Sequence, residues 1–196
     1  AVRLARMLIA QTLAYFADKR KRRCLSLANA ELVSKPGLGV MLKAAHQIPV
    51  QRGTSDAASS LASAVDALGR GECVAVFPEG TISLDLEPMT GKSGAARLAK
   101  AAGVAVTPVG LWGSHRIMFK GRKPHWQTGV AQVAVVGKPV TVEPDEHVKH
   151  ATDRIMAAIA DCVTRAREIY PQQPAPGEDA WWVREPETAS VRVRTS

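Results

Sequence analysis

A glutamate set between a proline and a glycine, directly after an apolar run, is the most chemically suggestive feature of this 196-residue chain. Val74-Ala-Val-Phe-Pro-Glu-Gly-Thr-Ile-Ser83 reads as a buried strand that stops at Phe77. Pro78 cannot donate to a ladder, so it ends the strand, and Gly80 permits a turn that side chains would forbid. Glu79 and Thr81 then project from the carboxyl end of a strand, which is where open α/β sheets bind ligands. A glutamate there is more than a solvated charge. Arg52 follows a short extended piece, Ile48-Pro-Val50, and precedes Gly53. A planar guanidinium at such a junction can take a phosphate through two parallel hydrogen bonds. Lys92, just before a helix, is a second cation near these blocks, or else a solvated helix-start lysine.

Several familiar patterns fail on inspection. Thr90-Gly-Lys-Ser93 imitates the end of a P-loop, but Leu86 stands where the first glycine belongs. Gly37-Leu-Gly39 imitates a dinucleotide loop, but its third glycine position is Leu42. Gly91-Lys-Ser93-Gly-Ala95 ends in alanine, so it is no nucleophile elbow. The cysteines Cys24, Cys73 and Cys162 form no Cys-x-x-Cys, which argues against zinc, a disulfide framework and redox chemistry. Cys73, at the start of a buried strand, reads as a core residue. Such cysteine usage points to a reducing, cytosolic side.

Lysine and arginine number 26 against 18 acidic residues, a net charge of +8. The excess is localised. Residues 88–142 hold no aspartate or glutamate, but they hold Lys92, Arg97, Lys100, Arg116, Lys120, Arg122, Lys123 and Lys138. A field of one sign over such a length favours phosphate-bearing partners. Lys19-Arg20-Lys21-Arg22-Arg23 is a denser run, read either as a solvated loop or as a contact with an anionic membrane surface. Nucleic acid is disfavoured because aromatic residues make up only 5% and no known nucleic-acid module is present. No window reaches the roughly 18 uninterrupted apolar residues of a spanning helix. The apolar start, Val2 to Phe16, is broken by Arg3, Arg6 and Gln11 and is not expected to be a signal peptide.

The elements that must carry these residues alternate. Helices are predicted over 3–16, 36–45, 55–68 with Gly69 as the stop, 93–102 ended by Gly103, and 145–170. Strands are predicted at 25–28, 48–50, 73–77, 104–109 with Leu111-Trp112 prolonging it, and 131–136. Cys73 to Phe77 is apolar throughout, as in a strand covered on both faces. The alternation predicts an α/β domain with a mostly parallel central sheet flanked by helices. Residues 1–170 form that domain. Residues 171–196, with Pro171, Pro174, Pro176 and Pro186, form a Pro-rich C-terminal tail expected to cross the surface and be partly disordered. Trp181-Trp182 within it need an apolar surface, either the protein's own or a bilayer interface.

The segment Phe77-Pro-Glu-Gly-Thr-Ile-Ser83 resembles motif III of the phospholipid/glycerol acyltransferases, the lysophosphatidic acid acyltransferases and their relatives, with Ile82 in place of the family's arginine. Two further blocks agree in order and spacing. Pro36-Gly-Leu-Gly39 through Ile48-Pro-Val-Gln-Arg52 is similar to motif II. Lys92-Ser-Gly-Ala-Ala-Arg97 through Val106-Thr-Pro-Val-Gly110 is similar to the lysine–glycine block and the motif IV proline strand.

The resemblance spans roughly residues 7–170. It implies a glycerol-3-phosphate acyltransferase-like fold and transfer of an acyl group from acyl-coenzyme A or acyl carrier protein to a lysophospholipid such as 1-acylglycerol-3-phosphate. No cofactor or metal is implied. It further implies peripheral attachment to the cytoplasmic face of the cell membrane. Arg52 would grip the acceptor's phosphate. Phe77, Pro78, Glu79, Gly80 and Thr81 would shape the acceptor site, with Lys92 beside them.

The family's catalytic block is a histidine followed five positions on by an aspartate. Five residues after His46, His115, His125, His147 and His150 stand Gln51, Lys120, Val130, Thr152 and Ile155. The catalytic residues are therefore unassigned, with His46 the only histidine near a motif. The resemblance places that block at or just before residue 1. A catalytically inactive lipid-binding homologue is the alternative that this departure raises.

Overall fold

A computed structural model of the chain describes residues 24–29, 47–50, 56–81, 83–117, 119, 122 and 128–183, with the backbone alone for 24–29, 47–50, 56 and 57. The expected helices at 3–16 and 36–45, the basic run 19–23, His46, Arg52 and Ile82 lie outside the described residues.

Strand β1 (Cys24–Asn29) runs between β2 (Gln47–Val50) and β3 (Cys73–Ala75), parallel to both. Leu27 pairs with Ile48, and Leu25 with Val74. Helix α1 (Asp56–Gly69) connects β2 to β3 and packs on both. That is a crossover of the expected kind. The helix ends at Gly69, one residue beyond the predicted 55–68, and the left-handed residue that follows it is Gly71 (φ +79°), where Gly71 N–H donates to Leu68 C=O and Glu72 N–H to Ala67 C=O, at 2.9 and 3.1 Å. Strand β3 ends at Ala75 rather than Phe77, and its residues are half-buried. It stands at the end of the three-strand order, so it is less covered than an all-apolar run suggests.

Past β3, the single mostly parallel sheet expected from the sequence gives way to a second, antiparallel pair. Helix α2 (Gly94–Ala102) leads to β4 (Val109–Trp112), and β4 pairs antiparallel with β5 (Val133–Val136). Of the predicted strand 104–109, only Val109 enters β4, and Val106 forms a bridge to Val140 through hydrogen bonds of 2.9 and 2.8 Å. Pro108 has no N–H to extend that ladder. The sheet pairing begins one residue after it.

A short helix, α3 (Ser114–Ile117), follows β4, and the long α4 (Val148–Glu168) closes the described fold. Helix α4 starts three residues later than predicted. His147 caps it with a ring nitrogen that accepts from Lys149 N–H at 3.3 Å. One core cluster joins α2 to α4 through Ala96, Ala99, Val142, Ala151 and Ile155. A second gathers Trp112, Ala166, Tyr170 and Trp182.

The residues after Pro171 are placed, through Val183, by named contacts. Trp182 is 2% exposed and lies edge-on to Tyr170, with ring centroids 5.8 Å apart. The Arg116 guanidinium sits 3.8 Å from its ring centre and pairs with Glu178 at 3.1 Å. Arg122 covers Trp181 at 4.2 Å and pairs with Asp179. Of the two surfaces open to these indoles, the protein's own is the one they occupy.

Candidate acceptor site

The chain leaves β3 and turns back at once. Gly80 N–H donates to Phe77 C=O at 3.1 Å, closing a turn with Pro78 and Glu79 at its centre. Gly80 has φ +69°, in the left-handed region that suits glycine. Lys92 holds the turn from outside in two ways. Its N–H donates to Pro78 C=O at 2.8 Å, tying the turn to the residue two positions before α2. The Lys92 side chain then runs over Gly80. A Cβ built on that glycine would meet Lys92 Cε at 3.2 Å and Nζ at 3.3 Å. The missing side chain of Gly80 is therefore what brings the ammonium onto the turn. Gly91, next to it, abuts Met156 and Thr152 of α4, which sets where α2 begins.

Glu79 is half-buried, and its carboxylate accepts from Met89 N–H at 2.9 Å. Burial pushes its carboxyl above the usual range. The Met89 hydrogen bond opposes that shift, and the Asp85 charge adds to it. The segment 83–89 is thereby folded back on the turn. Asp85 accepts from Ser83 Oγ and from Glu87 N–H, at 2.5 and 3.2 Å. Leu84 and Met89 point outward, 64% and 43% exposed. Thr81 is exposed at the mouth of the turn. Helix α2 carries no acidic residue in its first turn, so the positive end of the helix follows directly after Lys92, whose ammonium lies over Gly80. The arrangement offers a hydroxyl an acceptor at Glu79 and offers an anion a cation at Lys92.

The structure thus brings together Phe77, Pro78, Glu79, Gly80, Thr81 and Lys92; Arg52 cannot be placed with them because it lies outside the described residues. Met89 and Asp85 join the site without a sequence signal that could have singled them out. Arg116 is a poor phosphate ligand, being 9% exposed and occupied by Glu178, Gln172 and Tyr170. His115 is packed between Trp112 and Trp181, with ring centroids at 4.4 and 5.8 Å. Among the described residues no group of three or more histidine, cysteine or acidic side chains could hold a metal, and no helix is long and apolar enough to cross a membrane.

A family model described as Acyltransferase matches residues 7–112, more than half of the chain. The chain belongs to the acyltransferase family. The match contains the Phe77–Gly80 turn, Lys92 and β4, and it ends at the last residue of that strand. A 1-acyl-sn-glycerol-3-phosphate acyltransferase of Chlamydomonas reinhardtii is 33% identical over 113 residues, 55% of this acyltransferase chain and 33% of that relative. The chain thus spans about a third of the curated relative's length. The crystal structure of the 1-acyl-sn-glycerophosphate (LPA) acyltransferase PlsC from Thermotoga maritima superposes with a TM-score of 0.60 at 21% identity, covering 76% of this chain and 59% of that one. The acyltransferase chain therefore shares the PlsC fold.

Proposed function

We propose that this chain takes a lysophospholipid such as 1-acylglycerol-3-phosphate as acyl acceptor, with acyl-coenzyme A or acyl carrier protein as co-substrate, in phospholipid biosynthesis. The observation that carries this reading is the tight turn at Phe77–Gly80 with a half-buried carboxylate on one side and the Lys92 ammonium laid over it. Glu79 orients the acceptor's glycerol hydroxyls, while Lys92 and Arg52 hold its phosphate. In the transfer, a base takes the proton of the free hydroxyl. The oxygen attacks the thioester carbonyl, the carbon–sulfur bond breaks, and the thiol leaves with a proton. A thioester is already activated, so positioning and a base supply most of what the step requires. Residues 1–196 contain no histidine with an aspartate five positions on, and this favours a second reading in which the chain binds the acceptor without turnover. Both readings expect acceptor binding, and only the first expects transfer.

Arg52 provides the direct test. Arg52→Ala should weaken binding of a phosphate-bearing lysolipid by roughly 1.5–3 kcal/mol, the range for a hydrogen bond to a charged group. Arg52→Lys should restore only part of this, because an ammonium cannot make the paired contact. Calorimetric titration with phosphate-bearing and phosphate-free lysolipids checks it. Equal affinities of all three proteins for the two lipids would remove Arg52 from the site and leave Lys92 and Arg97 as candidates.

We place the chain at the cytoplasmic face of the membrane, held peripherally by its basic surface. Arg116 and Arg122 are paired with Glu178 and Asp179, so among the described residues the exposed cations left for this contact are Lys92, Arg97 and Lys138, and the sequence adds the run 19–23. Cosedimentation with anionic vesicles should fall steeply from 0.1 to 1 M salt, as the screening length shrinks from about 10 to about 3 Å. Binding that is equal on neutral vesicles would transfer the attachment to apolar residues.

A further inference from the structure

We propose that Arg167, on the last turn of α4, is a positioning residue for the acceptor site. It acts on Glu79 through the segment 84–89. The inference rests on the acceptor-site reading above and extends it to a residue 55 positions beyond the family-matched stretch, which ends at residue 112.

The Arg167 guanidinium grips that segment at two adjacent points. One nitrogen donates to the Glu87 carboxylate at 2.8 Å and the other to Leu86 C=O at 2.5 Å. Its central carbon lies over Trp112, 4.4 Å from the ring centre, so an aromatic face also holds the charge. Leu86 has φ +64°, a conformation that costs a branched side chain energy and persists only where surrounding contacts impose it. Those contacts are the Arg167 bond to its carbonyl and the packing of its side chain on the cluster of Trp112, Ala166, Tyr170 and Trp182. Three residues after this clamped point, Met89 N–H reaches the Glu79 carboxylate. With the clamp in place, the loop delivers that N–H to Glu79 and orients the carboxylate. With the clamp gone, Leu86 relaxes to negative φ, the chain direction changes, and the Met89 donor is withdrawn. A planar guanidinium suits the task, since it can satisfy a carboxylate, a carbonyl and an aromatic face together, whereas an ammonium cannot.

Amide hydrogen exchange of Met89 reads the coupling directly, in wild type, Arg167→Ala, Arg167→Lys and Glu87→Gln. The expected result is faster exchange at Met89 in Arg167→Ala, by about tenfold or more, the equivalent of one lost charge-assisted hydrogen bond. Arg167→Lys should be intermediate. Glu87→Gln, whose partly exposed side chain can be changed without emptying the core, should shift Met89 in the same direction. The amides of Gly110 and Val135 in the β4–β5 pair serve as reference, because a general loss of stability would speed them equally. Affinity for a short-chain lysophosphatidic acid below its micelle concentration should fall about tenfold in Arg167→Ala. Met89 exchange at the wild-type rate in both Arg167→Ala and Glu87→Gln overturns the proposal. So does accelerated exchange with unchanged acceptor affinity. If wild type itself fails to bind the acceptor, the acceptor-site reading falls, and the Met89 rates alone decide whether Arg167 sets Glu79.

Discussion

Gly110→Ala is expected to cost about 3 kcal/mol or more, a large share of the 5–15 kcal/mol that holds a domain together. The reason is where β4 crosses α4. A methyl group on Gly110 would lie 2.3 Å from Cys162 C, 2.3 Å from Val163 N and 2.5 Å from Cys162 O. All three atoms are helix backbone, with no side chain that could rotate aside. The strand cannot retreat either, because Gly110 pairs with Val135 in the β4–β5 ladder. Either the helix must lift, opening the Trp112 and Ala166 cluster, or the ladder must break. Gly94→Ala is the control: its added Cβ meets nothing within 4 Å, and at the start of α2 it should be neutral or mildly stabilising. Urea unfolding of the two variants separates them. A Gly110→Ala unfolding free energy within about 1 kcal/mol of wild type would mean the helix stands farther from the strand than described.

The second large effect is a loss of stability in mild acid, centred on His115. Burial between the indoles lowers its pKa from 6.5 to about 4, opposed by a backbone hydrogen bond to Trp182 and reinforced by the positive charges of Arg116 and Arg167. Its Nε2 is shut from solvent with no partner among the described residues. The folded state thus prefers the neutral ring, while the unfolded chain protonates it near pH 6.5. Stability from this group is fully present above pH 6.5. It is lost as pH falls towards 4, by up to about 3 kcal/mol. Glu178 and Asp179, held low by their hydrogen bonds, add losses at still lower pH, and the raised Glu79 carboxyl works the other way. These groups are common to wild type and His115→Leu, so the difference between the two proteins isolates the histidine. Between pH 7 and 4.5 the urea midpoint of wild type should fall by more than that of His115→Leu. Parallel curves would show that the ring is reached by water.

Local chemistry was legible where the deciding groups lie within a few residues of one another. The turn after β3 follows from Pro78 and Gly80, and α2 from its apolar spacing and the glycine that ends it. Longer-range pairing was not legible. Val104 to Val109 is apolar enough for a parallel strand, but whether it joins β3 or turns to β5 depends on Pro108 and on the approach of α4 at Gly110. Trp181-Trp182 announced a need for apolar cover and left its source open. The answer came from Tyr170, 12 positions before Trp182, and from Phe119, Arg116 and Arg122, each 59 to 66 positions before the indole it contacts. Arg116 and Arg122 counted towards a basic face until Glu178 and Asp179 were seen to neutralise them.

By itself the sequence determined the resemblance to the acyltransferase family and the residue types of the candidate acceptor site, because motifs are short and their chemistry is carried by spacing. It also established that no histidine here precedes an aspartate by five positions. Only the tertiary structure decided that Lys92 lies over Gly80, that Met89 N–H engages Glu79, and that Arg167 clamps the loop between them. Arg167 and Glu87 are 80 positions apart. An arginine near the end of an amphipathic helix looks the same in sequence whether it faces water or a buried carbonyl, and packing alone distinguishes the two.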